Sequence, residues 1–415
     1  MLLVLLGLIA LLAVLTLSFA PIVGEPKAPD TPSVDAARGL VKQITGGNAD
    51  AGDRLSMHIS QLELDGLVQL SNQALAPLRV DAELVGGPDR NEADHMSVSI
   101  SYPLALGTWV NVAATARSRA ADKRGGLPDI GVNIGSLPVP QWLTHFVLRR
   151  LWLTMQGDVA KPLALDAAIR RTTITHSHIR LVMAHPGREA GFAGLVMAKG
   201  AVPDAAFVAS TYCTLARYTG TDMAELVRNA WALPAPEVMA PEDHNRALLL
   251  AVAMRAVPEY RDRLAGAALP LIARCPAPPA NLVLTSRVDL ARHWALSAAL
   301  AATLGGQMAR SMGAWKELAD SAEGGSGFSF VDLAADRSGE RFGTAAVAPK
   351  LARAVATRMG AITQEQMLPA TLLGKPEGLD QAAFERDYSA IDSPEYLQAI
   401  KAIDALLNSV GVPTL

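Results

Sequence analysis

The sequence predicts an α+β protein: an apolar N-terminal helix, an antiparallel sheet domain carrying helices, then a mainly helical domain. Three observations predict it. The chain opens on a long run without charge, segments between Leu78 and Leu181 alternate polar and apolar residues, and Ala-rich stretches broken by prolines dominate from about residue 190. Period-two alternation marks strands with one buried face, and Ala-rich runs favour helices packed through small side chains.

Met1 to Val23 contains no charged residue. At 1.5 Å rise per residue the run is ~35 Å long, enough for a bilayer core of about 30 Å. Ser18-Phe19-Ala20 resembles a signal-peptidase exit, but no Lys or Arg precedes the apolar run and Pro21 follows it. Both features oppose cleavage, so the expectation is a retained single-pass anchor (1–23) in the inner membrane with the bulk of the chain periplasmic. Pro26, Pro29 and Pro32 then suggest a stiff spacer over 24–34.

An α+β domain is expected over 35–189. Ser56–Leu62 leads into a helix through Leu67, Leu70 and Leu75. Strands follow at Leu78–Leu84, Met96–Ser101, Trp109–Ala113, Ile130–Leu137 and Thr172–Leu181, with an apolar helix at Trp142–Leu153 entered through Pro138 and Pro140. His176 and His178 would share one side of the last strand. With no third ligand nearby and Thr-rich surroundings, they read as a solvated strand face rather than a metal site.

A helical domain is expected over 190–360 and a helical extension over 361–415. Glu242–Met254 and Asp289–Met312 are the clearest helices, and Ser393 with Pro394 offers an N-cap and first helical residue for another. Cys213 and Cys275 are the two cysteines. In an exported chain such a pair is expected as a disulfide, and neither has a metal-ligand neighbour at the usual spacing.

The chain is 19% charged, with net charge −3 and no basic run. That excludes nucleic acid as a partner, because binding phosphate backbones needs a concentrated positive face. The expected partners are the membrane itself and an envelope lipid, glycan or protein.

The polar residues that invite a chemical reading lie between Asp289 and Gly343. Asp289, His293 and Ser297 are four apart and share a helix face, and Glu317 and Asp320 share one on the next helical segment. After Gly324-Gly325-Ser326-Gly327, Ser329 is a plausible N-cap, and Asp332, Asp336, Gly339 and Gly343 form a stripe of acids and glycines. Glycines let a neighbouring backbone approach, bringing the acids against another helix.

Several readings follow. Arg287, Arg292, Lys316, Arg337 and Arg341 interleave with the acids, so a buried ion-pair network is one. Glu317 as a raised-pKa general acid, with Asp320 and His293 as its catalytic partners and Asp289, Asp332, Asp336 and Ser297 binding, is another. Carboxylates plus one imidazole holding a divalent cation is the third, although no metal or cofactor is assigned. A nucleophile relay through Asp289, His293 and Ser297 lacks an oxyanion hole.

The arrangement Asp289-x-x-x-His293, Lys316-Glu317, Asp320, and Gly327-Phe328-Ser329-Phe330-x-Asp332-Leu333 ending at Gly339 and Gly343 resembles the YfiM-like and VanZ-like envelope proteins over about fifty-five residues. Asp336 stands where Asn is frequent in them, and the several spans of VanZ-like proteins are missing. The N-terminal α+β region resembles the YpmS-like group, whose members place a compact sheet domain after one anchor. The whole architecture resembles an uncharacterised family of exported proteobacterial proteins. These resemblances imply a location and no reaction. The function expected from the sequence is therefore a membrane-anchored envelope protein that binds or scaffolds a partner, with an envelope hydrolase acting on cell-wall glycan, or a metal-dependent activity, as alternatives.

Overall fold

The structure, a computed structural model, describes residues 15–45, 52–86, 93–119, 126–156, 163–185 and 204–414. It divides into two compact units: Met1–Thr154 with Lys161–Gly187, and Met155–Ala160 with Arg188–Leu415.

The first unit is α+β with antiparallel sheets. Its strands are β1 (Leu17–Ser18), β2 (Arg54–Ser60), β3 (Arg79–Val85), β4 (His95–Pro103), β5 (Trp109–Arg117), β6 (Asp129–Ile134), β7 (Leu137–Val139), β8 (Ile169–Ile174) and β9 (His178–Ala184). One sheet runs β3-β4-β5-β6-β7 with β1 beside β5, and the other runs β2-β9-β8. Ala116, Ile174 and Ile179 pack with Ile59, Leu84, Met96 and Ile130, so apolar faces of both sheets share a core. Leaving aside single turns, its helices are α1 (Thr31–Thr45), α2 (Gln61–Ala74) and α3 (Gln141–Gln156). A capping box between Ser60 and Glu63 switches the chain from β2 into α2. Asn72 then clamps α2 to β3, exchanging hydrogen bonds with both backbone groups of Val80.

Turn chemistry divides two of the expected strands. Ile130–Leu137 is β6 and β7 joined at Gly135, whose φ of +59° suits glycine and turns the chain. Thr172–Leu181 is the β8–β9 hairpin, and Thr175 Oγ1 accepts the His178 N–H across its turn. His176 consequently lies in the turn beside Asp94 rather than on a strand face with His178.

Residues 1–14 of the expected anchor lie outside the described residues. Those that follow are tied to the sheet: Leu17 and Ser18 pair with Val110 and Trp109, and the Ile22 and Val23 N–H groups donate to Ser101 Oγ. Among the described residues no helix is long and apolar enough to cross a membrane. The stretch expected as a free spacer also packs, for Thr31, Ser33 and Val34 are buried at the start of α1.

The second unit is helical: α4 (Ala205–Leu215), α5 (Met223–Trp231), α6 (Pro241–Ala256), α7 (Val288–Leu304), α8 (Gly306–Asp320), α9 (Phe330–Ala346), α10 (Ala352–Met359), α11 (Gln381–Tyr388) and α12 (Pro394–Ser409). From Asn245 to Ala256 every residue of α6 is buried, as befits a helix apolar around its whole circumference. Two of its polar exceptions are answered by carbonyls, Asn245 donating to those of Ala346 and Ala352 and Arg246 to that of Ala302, while buried Arg255 reaches the Tyr218 carbonyl at 3.4 Å. Cys213 on α4 is joined to Cys275 by a disulfide.

The expected single helix Asp289–Met312 is two. Gly305, with φ +93°, ends α7 and lets α8 fold back. Small-residue packing holds where α7 meets α9, but the composition gave no hint of the aromatic cluster under the start of α9. There Phe328, Phe330, Phe384, Tyr388 and Tyr396 stack and tilt against one another.

Candidate functional site

Three consecutive helices bring the polar residues together. On α7 the four-residue spacing puts Asp289, His293 and Ser297 on one face. On α9 Asp332, Asp336, Gly339 and Gly343 form the facing stripe. The glycines permit contact that no side chain would: a Cβ at Gly339 would lie 2.2 Å from the Trp294 carbonyl oxygen, and one at Gly343 2.2 Å from that of Ala298. α8 closes the third side with Gly313 and Glu317. Ser329 caps α9, accepting the Asp332 N–H at 3.0 Å.

His293 stands between two acids, with Nδ1 3.1 Å from Asp336 Oδ1 and Nε2 3.3 Å from Asp332 Oδ2. Ser297 donates its hydroxyl to the same Asp336 oxygen at 2.6 Å. Glu317, 1% exposed, accepts from Lys316 Nζ at 2.9 Å and from the Ser329 N–H at 3.1 Å. The second contact uses a free N–H at a helix N-terminus, where negative charge is favoured. Lys316 also reaches Asp320 at 2.7 Å, which brings Asp320 into the group. His293, Glu317 and Asp336 each offer a ligand atom within 4.8 Å of the others.

Asp289 stands apart. It is clasped by both arms of Arg287, whose remaining nitrogen donates to Glu377 at 2.8 Å, and Arg287 approaches Asp332 only to 3.5 Å. Of the expected basic partners, Arg287 and Lys316 serve the group. Arg292 pairs with Glu259, while Arg337 and Arg341 pair with Asp404 on α12. The relay of Asp289, His293 and Ser297 is not formed, because Ser297 donates to Asp336 and Asp289 faces Arg287.

Burial alone would push the His293 imidazole down. Asp336 and Asp332 outweigh it and hold the ring up at about 10. Burial pushes the Glu317 carboxyl up to about 7, against the pull of Lys316 and His293. Burial would also raise Asp289, but Arg287 overrides it and keeps that carboxyl below its ordinary value.

Sequence reasoning missed three contributors. Gly313 leaves room for Asp336, since a Cβ there would meet Asp336 Oδ2 at 3.1 Å. Its position one turn before Glu317 on α8 was a usable signal. Glu377 and the Ser329 backbone gave no signal, because their roles depend on how distant chain segments meet.

The chain matches no known family, no curated protein and no solved structure.

Proposed function

We propose that the chain is an exported, membrane-tethered binding protein whose first unit docks on a lipid surface, and that its buried polar group is not a hydrolytic site. The observation that carries this reading is the apolar end of the larger sheet. There the β4–β5 connection presents Leu104 and Leu106, with Leu106 97% exposed, and Phe19 follows β1 at 87% exposure. Leu106 is held at φ +63° in the turn joining β4 to β5, a left-handed conformation that residues other than glycine rarely adopt. The fourteen residues leading into this end, Met1–Val14, are uncharged and almost wholly apolar. Exposed apolar residues contiguous with such a segment match a lipid surface better than a polar glycan. α3 adds exposed Trp142, Phe146 and Leu151 beside Arg150 and Arg149, the latter paired with Asp166 at 2.7 Å, a mixture suited to an interface. The Cys213–Cys275 disulfide fits an oxidising compartment outside the cytoplasm.

The hydrolase reading has one observation in its favour: a carboxyl raised to about 7 is in the range of a general acid at neutral pH. Against it, Glu317 is 1% exposed and both its oxygens are engaged, so neither faces a substrate. Reconstituting the full chain in anionic vesicles with a photoactivatable lipid tests the proposal. The peptides carrying Phe19 and Leu104–Leu106 should be labelled, and Leu106→Asp should reduce labelling of its own loop. Labelling confined to residues 1–14 would overturn it.

A further inference from the structure

The polar group at the α7–α8–α9 junction carries more negative charge than its own cations answer. Glu317, Asp320, Asp332 and Asp336 converge on it, and the cations inside it are Lys316 and His293. Arg287 lies at the rim and is already held by Asp289 and Glu377. With His293 protonated and Glu317 ionised, two negative charges remain in a buried place, and uncompensated buried charge is expensive.

A second observation says where compensation is missing. Asp336 is 6% exposed, and its Oδ2 is buried with no hydrogen-bond partner among the described residues. That oxygen points at Gly313, one turn before Glu317 on the same face of α8. Asp332 Oδ1 is likewise without a hydrogen bond, its nearest cation being Arg287 at 3.5 Å. A buried carboxylate oxygen left bare beside an imidazole and a second carboxylate is a place prepared for a cation.

We propose that His293, Glu317 and Asp336 form a structural site for one divalent transition-metal ion of the Zn²⁺ or Mn²⁺ type. Their ligand atoms lie within 4.8 Å of one another. Ligands about 2.1 Å from a shared ion sit roughly 3–4 Å apart, so a small contraction seats the metal. One imidazole with two carboxylates selects this class over Ca²⁺, which takes oxygen ligands alone. The metal enters on the Nδ1 side of His293, whose proton leaves to solvent as it binds. Nε2 keeps donating to Asp332, the carboxylate–histidine–metal arrangement that fixes the ring and raises its basicity. Ser297 holds Asp336 by its other oxygen. Lys316 releases Glu317 and stays on Asp320, to which it is already bonded at 2.7 Å. With the imidazole proton gone, three negative charges face the ion's two positive ones, so binding lowers the surplus from two to one. The ion clamps the three helices and needs no opening to substrate, so this site stands independently of the lipid-docking proposal.

The test uses the full chain in detergent, stripped with a chelator and then titrated separately with Zn²⁺, Mn²⁺, Mg²⁺ and Ca²⁺. Bound metal and melting temperature are measured together. The expected result is one equivalent of Zn²⁺ or Mn²⁺ with a rise in melting temperature, and no such rise with Ca²⁺. Asp336→Asn and His293→Gln should each lose the bound metal and the rise. Ser297→Ala, a milder change, should keep the fold and weaken binding by about 10-fold. Asp404→Asn, in the separate α9–α12 ion pair, should bind as the wild type does. No stoichiometric binding of either transition metal, or binding undiminished in His293→Gln and Ser297→Ala, would overturn the proposal.

Discussion

At the scale of single residues, both ring nitrogens of His293 face carboxylates, and both can donate only when the ring is protonated. Stability in the metal-stripped protein is therefore linked to that proton. The folded state raises the ring from 6.5 to about 10, so its contribution is complete below pH 6.5 and is lost as pH rises through about 10. Glu317 has the same sense although it is an acid. Raised from 4.5 to about 7, it contributes below pH 4.5 and loses that contribution as pH rises through about 7. Neither Lys316 at Glu317 nor Ser297 at Asp336 reverses these directions. The melting temperature should thus fall steadily from mildly acidic to alkaline pH with chelator present. His293→Gln should remove the fall on the alkaline side. A wild-type curve flat between neutrality and pH 10 would count against the protonated pair.

At the scale of elements, the junction depends on how closely α7 and α9 approach. Gly339→Ala and Gly343→Ala each place a methyl about where a backbone carbonyl oxygen already stands, and α7 cannot yield as a flexible side chain would. Each should cost about 1–3 kcal/mol, the range for overpacking. Gly374→Ala, with open space around its Cβ position, should cost far less, and denaturant unfolding of the three variants checks the order. This stripe was legible in the sequence because glycines and acids recur at helical spacing on α9. The break between α7 and α8 was written as the pair Gly305-Gly306, but apolar residues recur at helical spacing on both sides of it, so the run reads as one helix. The β6–β7 and β8–β9 turns were marked only by a slip of phase: Ile134 and Leu137 are three apart and Ile174 and Ile179 five, odd spacings that one strand's alternation does not allow. Partner choice was the least legible property. Nothing in the spacing distinguishes Arg337, which reaches Asp404 on a later helix, from Lys316, which reaches Glu317 beside it.

At the scale of the molecule, the Cys213–Cys275 bond closes a loop of 62 residues in the second unit. Chain-entropy reasoning assigns such a loop about 4 kcal/mol. Cys213→Ser with Cys275→Ser should lower unfolding stability by roughly that amount, and thiol alkylation without reductant should modify neither cysteine of the wild type. An unchanged stability in the double variant would show that the reduced chain is already held by α6. The division into a sheet unit and a helical unit was readable from the change of period and the Pro-broken Ala runs, while the aromatic cluster that closes the helical unit was not, because its rings come from segments more than fifty residues apart.

The three helices of the polar junction follow one another directly, from Val288 to Ala346, with the Gly305 turn and one Gly-rich loop between them. The contacts of the junction are therefore made inside this one stretch, although the His293–Asp336 and Ser297–Asp336 pairs span 43 and 39 residues of it. Loop-closure cost grows only slowly with length, so contacts confined to one stretch from Val288 to Ala346 can form without the rest of the chain. The buried α6, by contrast, must wait for partners on both sides of it in sequence. The charged junction can thus assemble early, while water still reaches its acids, and lose its solvent afterwards as α6 and the aromatic cluster close around it. In that order the acids would meet Lys316 and His293 before the surrounding core excludes water.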